Sequence, residues 1–185
     1  DRGKALILQA PSGFVKSVLL EQLAARDPRP AHGVLLADPH NDPVVLVRAL
    51  ADALAVSEPL PAEVLDALQA PRPDIENVVL PRLLAGLAAR REPCLLILDE
   101  LERIESPQSL AVVAALLPGL PAGSQLAIAT RVDPPLRTGR VRASRRLVDL
   151  RREDLTMTKG ECAKLLAAIG LDLDAPQLDM IVRRT

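Results

Sequence analysis

Short apolar runs alternate with amphipathic stretches along most of the chain. Ala5-Leu6-Ile7-Leu8-Gln9 is apolar, bounded by charge and by Pro11, and predicts a buried strand. Lys16 to Arg26 carries Val18, Leu19, Leu20, Leu23 and Ala24 on one side and predicts a helix, which Asp27-Pro28-Arg29-Pro30 ends. Gly33 to Ala37 is a second strand candidate. Asn41-Asp42-Pro43 has the form of a helix start, with Asp as cap and Pro at the first helical position, and the helix runs to about Ala55. The proline-rich stretch from Ser57 to Pro73 predicts a surface excursion with a short helical piece. Asp74 to Arg91 predicts one helix on an acidic cap. Pro93 to Leu98 is the strongest strand in the chain, Pro107 to Leu117 a helix, Gln125 to Ala129 a fourth strand and Arg146 to Leu150 a fifth. From Thr158 the pattern turns purely helical, with helices at Lys159 to Ala168 and Pro176 to about Arg183.

Alternating strands and helices, with nearly continuous apolar strands, predict an α/β fold: a parallel sheet covered on both faces. In such sheets ligands bind at the carboxyl ends of the strands. Residues 1–153 form the sheet domain in this reading, and 154–185 begin a small helical domain.

Composition narrows the chemistry. The 185 residues can bury a core, and 49 % are hydrophobic, but one Phe is the whole aromatic content. The core is therefore aliphatic, and stacking on nucleic-acid bases has no side chains to use. The formal net charge is −1, without a basic half, which argues against direct nucleic-acid binding by this segment. Cys94 and Cys162 lack metal-type spacing and His32 and His40 form no metal motif, so reduced thiols in a cytoplasmic protein are expected. No apolar run approaches the roughly 20 residues that cross a bilayer. Eight arginines lie between Arg131 and Arg152; they read either as a solvated loop or as one from which one or two face a phosphate.

Three motifs carry candidate chemistry. The first strand runs into Ala10-Pro11-Ser12-Gly13-Phe14-Val15-Lys16-Ser17 and then a helix, the setting of the GxxxxGK loop that ends in Ser or Thr. There the backbone amides of Pro11–Ser17, apart from that of Pro11, curl toward phosphate oxygens at a helix N-terminus. Lys16 reaches the phosphates and Ser17 offers a hydroxyl to Mg²⁺. Ala10 and Val15 stand where the pattern has Gly, and a β-branched Val15 is a poor fit where the loop needs positive φ or close approach. Leu95-Leu96-Ile97-Leu98-Asp99-Glu100 is an apolar strand that delivers two carboxylates: Asp99 to hold Mg²⁺ and Glu100 to orient or deprotonate water. Leu126-Ala127-Ile128-Ala129-Thr130-Arg131 ends in a polar pair, of which Thr130 or Arg131 would sense a γ-phosphate.

In order and wording these pieces resemble the nucleotide-binding domain of the STAND class of P-loop NTPases, closest to MalT-like, large LuxR-type transcriptional activators. The loop APSGFVKS is similar to that family's APAGYGKTT-like loop, Ala37 to Pro43 to its LDxxDNDP segment, and Thr130 to Leu136 matches its TRxDPPL signature in full. Arg140, Arg142 and the segment from Asp149 to Cys162 also look like family features. The resemblance covers almost the whole chain; Val15 and Leu101 depart from it. It implies an ATP/ADP switch with Mg²⁺ and slow hydrolysis at most, ATP-dependent self-association, and contacts with other domains of a parent regulator. DNA binding and inducer sensing would belong to those other domains.

Two other readings remain open from the sequence. Val15 motivates a degenerate scaffold that binds nucleotide poorly and acts through protein contacts. A small-molecule kinase would need an acceptor-binding lid, for which the chain offers no candidate.

Overall fold

The structure is a computed structural model that describes residues 4–12, 16–136, 147–155 and 160. Five parallel strands, β1 (Lys4–Gln9), β2 (Ala31–Leu35), β3 (Leu95–Asp99), β4 (Gln125–Thr130) and β5 (Leu147–Leu150), form one sheet in the order β2-β3-β4-β1-β5. Parallel neighbours need long crossovers, and helices supply them: α1 (Lys16–Arg26), α2 (Pro43–Ala55), α3 (Ala62–Leu68), α4 (Leu80–Ala88) and α5 (Pro107–Gly119), with α6 (Arg152–Leu155) after the last strand. The expected α/β architecture is therefore the observed one.

Side chains of a strand alternate between faces, and the core divides accordingly. Leu96 and Leu98 of β3 join Ala5, Ile7, Leu126 and Ile128 under α2, α3, α4 and α5. Leu95 and Ile97 turn the other way, with Leu8, Ala127 and Ala129, onto Leu20 of α1. The chain needs no aromatic ring because Leu, Ile, Val and Ala fill both layers.

Local chemistry accounts for two of the helix starts. The Asp42 carboxylate accepts from the Val44 amide at 2.8 Å, with Pro43 opening α2. Ser106 caps α5, again ahead of a proline.

Four expectations need correction. The second strand lies at Ala31–Leu35, two residues earlier than expected. Its register with β3 sets it, Ala31 opposite Leu95 and Leu35 opposite Asp99. As an edge strand it alternates buried and exposed residues, and Leu35 is 66 % exposed, so it is not covered on both faces. The stretch from Ser57 to Pro73 is not a surface excursion: Leu60, Val64, Ala67 and Leu68 belong to the core. Their spacing of three and four along a short helix is masked in sequence by the prolines. α3 also lies close on α4, where a Cβ on Gly86 would come within 2.8 Å of the Pro61 ring. The expected helix from Asp74 to Arg91 starts on its acidic cap, Asp74, whose carboxylate accepts from the Asn77 amide at 3.0 Å, but it ends at Ala88 and is not regular throughout. Its first turn, Ile75–Val79, is a π turn in which Val79 N–H bonds to Asp74 C=O at 2.9 Å, and the regular helix begins at Leu80. Pro81 explains this: it lacks an amide proton and its ring crowds the carbonyl one turn back, which a wider turn accommodates. The fourth difference is α6, a single turn that the pattern did not anticipate. The helices expected from Thr158 onward lie outside the described residues, except that Gly160 is helical. No helix among the described residues is long and apolar enough to cross a membrane.

Candidate functional site

The sheet order brings the sequence motifs together. β1 lies between β4 and β5, and β4 separates it from β3, so the carboxyl ends of β1, β3 and β4 open on one rim. Pro11 and Ser12 follow β1 there, while Gly13, Phe14 and Val15 lie outside the described residues. Lys16 and Ser17 begin α1. A cleft of about 150 Å³ on this rim is lined by Ser12, Lys16, Ser17, Asp99, Glu100, Glu102 and Arg131. A larger groove of about 730 Å³, where α2 and α5 start beside the π turn, shares no lining residue with it.

Lys16 is 8 % exposed, and its ammonium donates to the carbonyls of Ala10 at 2.6 Å and Pro11 at 3.0 Å. Burial pulls its pKa below the ordinary lysine value; Glu102 is the carboxylate that most opposes this. The Ser17 hydroxyl donates to Asp99 Oδ2 at 2.6 Å, joining the start of α1 to the end of β3 across 82 residues. The other oxygen of Asp99 accepts from the Glu100 amide at 2.8 Å.

Glu100 is the one described non-glycine residue with positive φ (φ 60°, ψ 44°). A left-handed conformation at a non-glycine residue costs of order 1–3 kcal/mol and recurs at functional sites. Here it turns the chain sharply off β3 into the 3₁₀ turn Leu101–Arg103. The Glu100 carboxylate accepts from Arg103 Nε at 2.6 Å and from Arg131 Nη2 at 3.1 Å. Arg103, then Arg131, hold its carboxyl below the usual carboxylate range.

Of the polar pair Thr130-Arg131 at the end of β4, only Arg131 enters the cleft. Thr130 is buried and its hydroxyl donates to the Val132 carbonyl at 3.0 Å. Arg131 Nε lies 2.8 Å from Glu102 Oε1, and the Arg131 amide donates to Glu102 Oε2 at 3.1 Å. Of the arginine-rich stretch, Arg151 pairs with Asp149 and Asp133 instead. Arg140 and Arg142 lie outside the described residues.

Sequence reasoning missed three residues here. Glu102 and Arg103 extend the charge cluster beyond the Asp99-Glu100 pair. Asn41 binds it to the rest of the fold: Nδ2 donates to the carbonyls of Asp38 at 3.1 Å and Arg103 at 2.9 Å. Its Oδ1 accepts from the amides of Glu105 at 2.7 Å and Ser106 at 2.8 Å. The alternation of acid and base after β3 was a legible signal for the first two. Asn41 lies 62 to 65 residues from Arg103, Glu105 and Ser106, and its place in the Ala37–Pro43 segment gave no sign of them.

The donor set fits a metal-bound phosphate. An ammonium, a hydroxyl beside a carboxylate and a guanidinium face one cleft, but three carboxylates oppose two cations and leave it at net −1. A polyphosphate alone would meet repulsion; a divalent cation, which Ser17 and Asp99 would help to hold, would reverse the sign. Among the described residues no group of three or more His, Cys, Asp or Glu could hold a metal ion by itself, so phosphate oxygens or water would complete its shell.

No protein-family model and no curated protein matches the sequence. Solved structures share the fold. A STAND signal-transduction ATPase with a tetratricopeptide repeat sensor from Pyrococcus horikoshii aligns over 98 % of this chain and 25 % of its own, at 11 % identity and TM-score 0.61. Cdc6p from Pyrobaculum aerophilum aligns over 88 % of this chain and 42 % of its own, at 18 % identity and TM-score 0.54. Drosophila ORC, solved bound to DNA, aligns over 91 % and 42 %, at 18 % identity and TM-score 0.55. The chain thus spans a quarter to under half the length of the structures it is similar to, and what it shares with them at this identity is the α/β fold, a parallel sheet flanked by helices.

Proposed function

We propose that the chain is the ATP/ADP-binding switch module of a larger, cytoplasmic, signal-responsive transcriptional regulator of the MalT-like kind, with slow hydrolysis at most. The observation that carries this reading is the convergence of Lys16, Ser17, Asp99 and Arg131 on one cleft from three separate strand ends. Lys16 would contact phosphate oxygens, with the amides of Ser12 to Ser17 around them. Ser17 and Asp99 would hold Mg²⁺, whose charge neutralises the phosphates. Glu100 would position water and Arg131 would meet the γ-phosphate. Exchange of ADP for ATP would change the surface offered to other domains of the regulator and to a second copy of the chain. Residues 154–185 would begin the helical domain that transmits that change.

Calorimetric titration with ADP and ATP, with and without Mg²⁺, tests this. Micromolar, Mg²⁺-dependent binding that Lys16→Ala abolishes supports the switch. Val15 favours the scaffold reading, in which nucleotide binds poorly and protein contacts carry the function. That reading wins if the chain binds no nucleotide until Val15→Gly restores it. Consumption of ATP only with an acceptor present would indicate a kinase.

A further inference from the structure

Arg131 is already occupied by the protein's own carboxylates. Glu102 takes Nε and the backbone amide with its two oxygens, and Glu100 takes Nη2. Glu102 is only 15 % exposed, against 27 % for Glu100, and it lines the same cleft as Lys16. Its second anchor, the Arg131 amide, stays in place whatever the guanidinium does. An anion arriving at Arg131 therefore meets a carboxylate fixed beside that arginine by the main chain.

We infer that Glu102 is a built-in rival of the terminal phosphate, and that it sets how strongly the cleft prefers a triphosphate over a diphosphate. This rests on the nucleotide reading of the cleft. A diphosphate held at Lys16 and Ser17 does not need Arg131. A third phosphate does, and it must share or displace the pairs that Arg131 makes with Glu102 and Glu100. Taking the guanidinium also frees Glu100 from one of its two arginine partners, so the same competition links triphosphate recognition to release of the residue that would handle water. Arg103, at 2.6 Å from Glu100, keeps the other hold.

The test is Glu102→Gln, which keeps shape and one acceptor oxygen but removes the charge. Affinities for ADP and for a non-hydrolysable ATP analogue, both with Mg²⁺, are measured for the unaltered chain, E102Q, Arg131→Gln and the double variant. The expected result is that E102Q shifts the ratio toward the triphosphate by about fivefold, the upper span of a part-exposed ion pair, and that R131Q erases the shift. In the nucleotide-free protein, the Arg131 Nε–H resonance should move in E102Q, which no binding assay is needed to see. An unchanged ratio, a shift toward the diphosphate, or a shift that persists in the R131Q background overturns the inference while leaving the nucleotide site standing. Failure of both nucleotides to bind, with Val15→Gly as well as without it, overturns the site reading and this inference with it.

Discussion

Replacing Asn41 with Ala should destabilise the fold by about 2 kcal/mol, although the side chain is neither apolar nor deeply buried. Its amide makes four hydrogen bonds, two donated to the carbonyls of Asp38 and Arg103 and two accepted from the amides of Glu105 and Ser106. A typical intramolecular hydrogen bond contributes about 0.5–1.5 kcal/mol net. Three of the four are exposed, so water can take over part of each and the low end of that range applies, which gives about 2 kcal/mol for the set. The loss should fall on one segment, because Arg103 to Ser106 joins the 3₁₀ turn to the capped start of α5. In urea unfolding, with a slope near 2 kcal/mol/M for a domain of this size, the midpoint should drop by about 1 M at unchanged slope. A drop under about 0.25 M would refute the reasoning, since the four bonds would then be replaced by water without loss. A large drop with a changed slope would mean that the native state itself had become less compact.

Three further outcomes follow from other parts of the molecule. His32 is 4 % exposed and its Nε2 lies 3.0 Å from the Ser57 hydroxyl, which Arg90 also contacts. Burial, then the Arg90 charge, holds its pKa below the ordinary 6.5, so the fold favours the neutral ring: its contribution is full above about pH 6.5 and is lost as pH falls through the lower folded value. Urea midpoints should fall between pH 7 and 5, and His32→Gln should flatten that limb; a limb identical in the variant would assign it to other groups. Glu100→Gln should leave nucleotide affinity within about threefold while slowing any hydrolysis about 100-fold or more, read by phosphate release; equal loss of both would make Glu100 a binding residue instead. Leu83, fully buried on α4 within the larger core layer, should cost about 2–5 kcal/mol on truncation to Ala, measured by thermal or urea unfolding; a loss below 1 kcal/mol would show that this layer collapses around the gap.

Local sequence determined a good deal. Short continuous apolar runs marked β1, β3 and β4. The Asp42-Pro43 start located α2, because capping and proline φ act within a few residues, and the stretch from Pro107 located α5. The loop ahead of Lys16, the carboxylates at the end of β3 and the polar pair at the end of β4 were legible as three separate motifs. What depended on distant residues was not legible. The burial of α3 under a proline-rich stretch depends on α4, and the placement of β2 depends on its register with β3. The choice of Arg131 over Thr130 depends on the chain turning inward at Thr130. Above all, the pairing of Arg131 with Glu102 and the bond from Ser17 to Asp99 exist only because strand order places β4 beside both β1 and β3, and the clamp of Asn41 on Arg103 to Ser106 only because β2 pairs with β3. Periodicity and turn chemistry are local energies and can be read from a few neighbours. Strand order is a global minimum over the whole chain, and the charge cluster that depends on it becomes visible only in three dimensions.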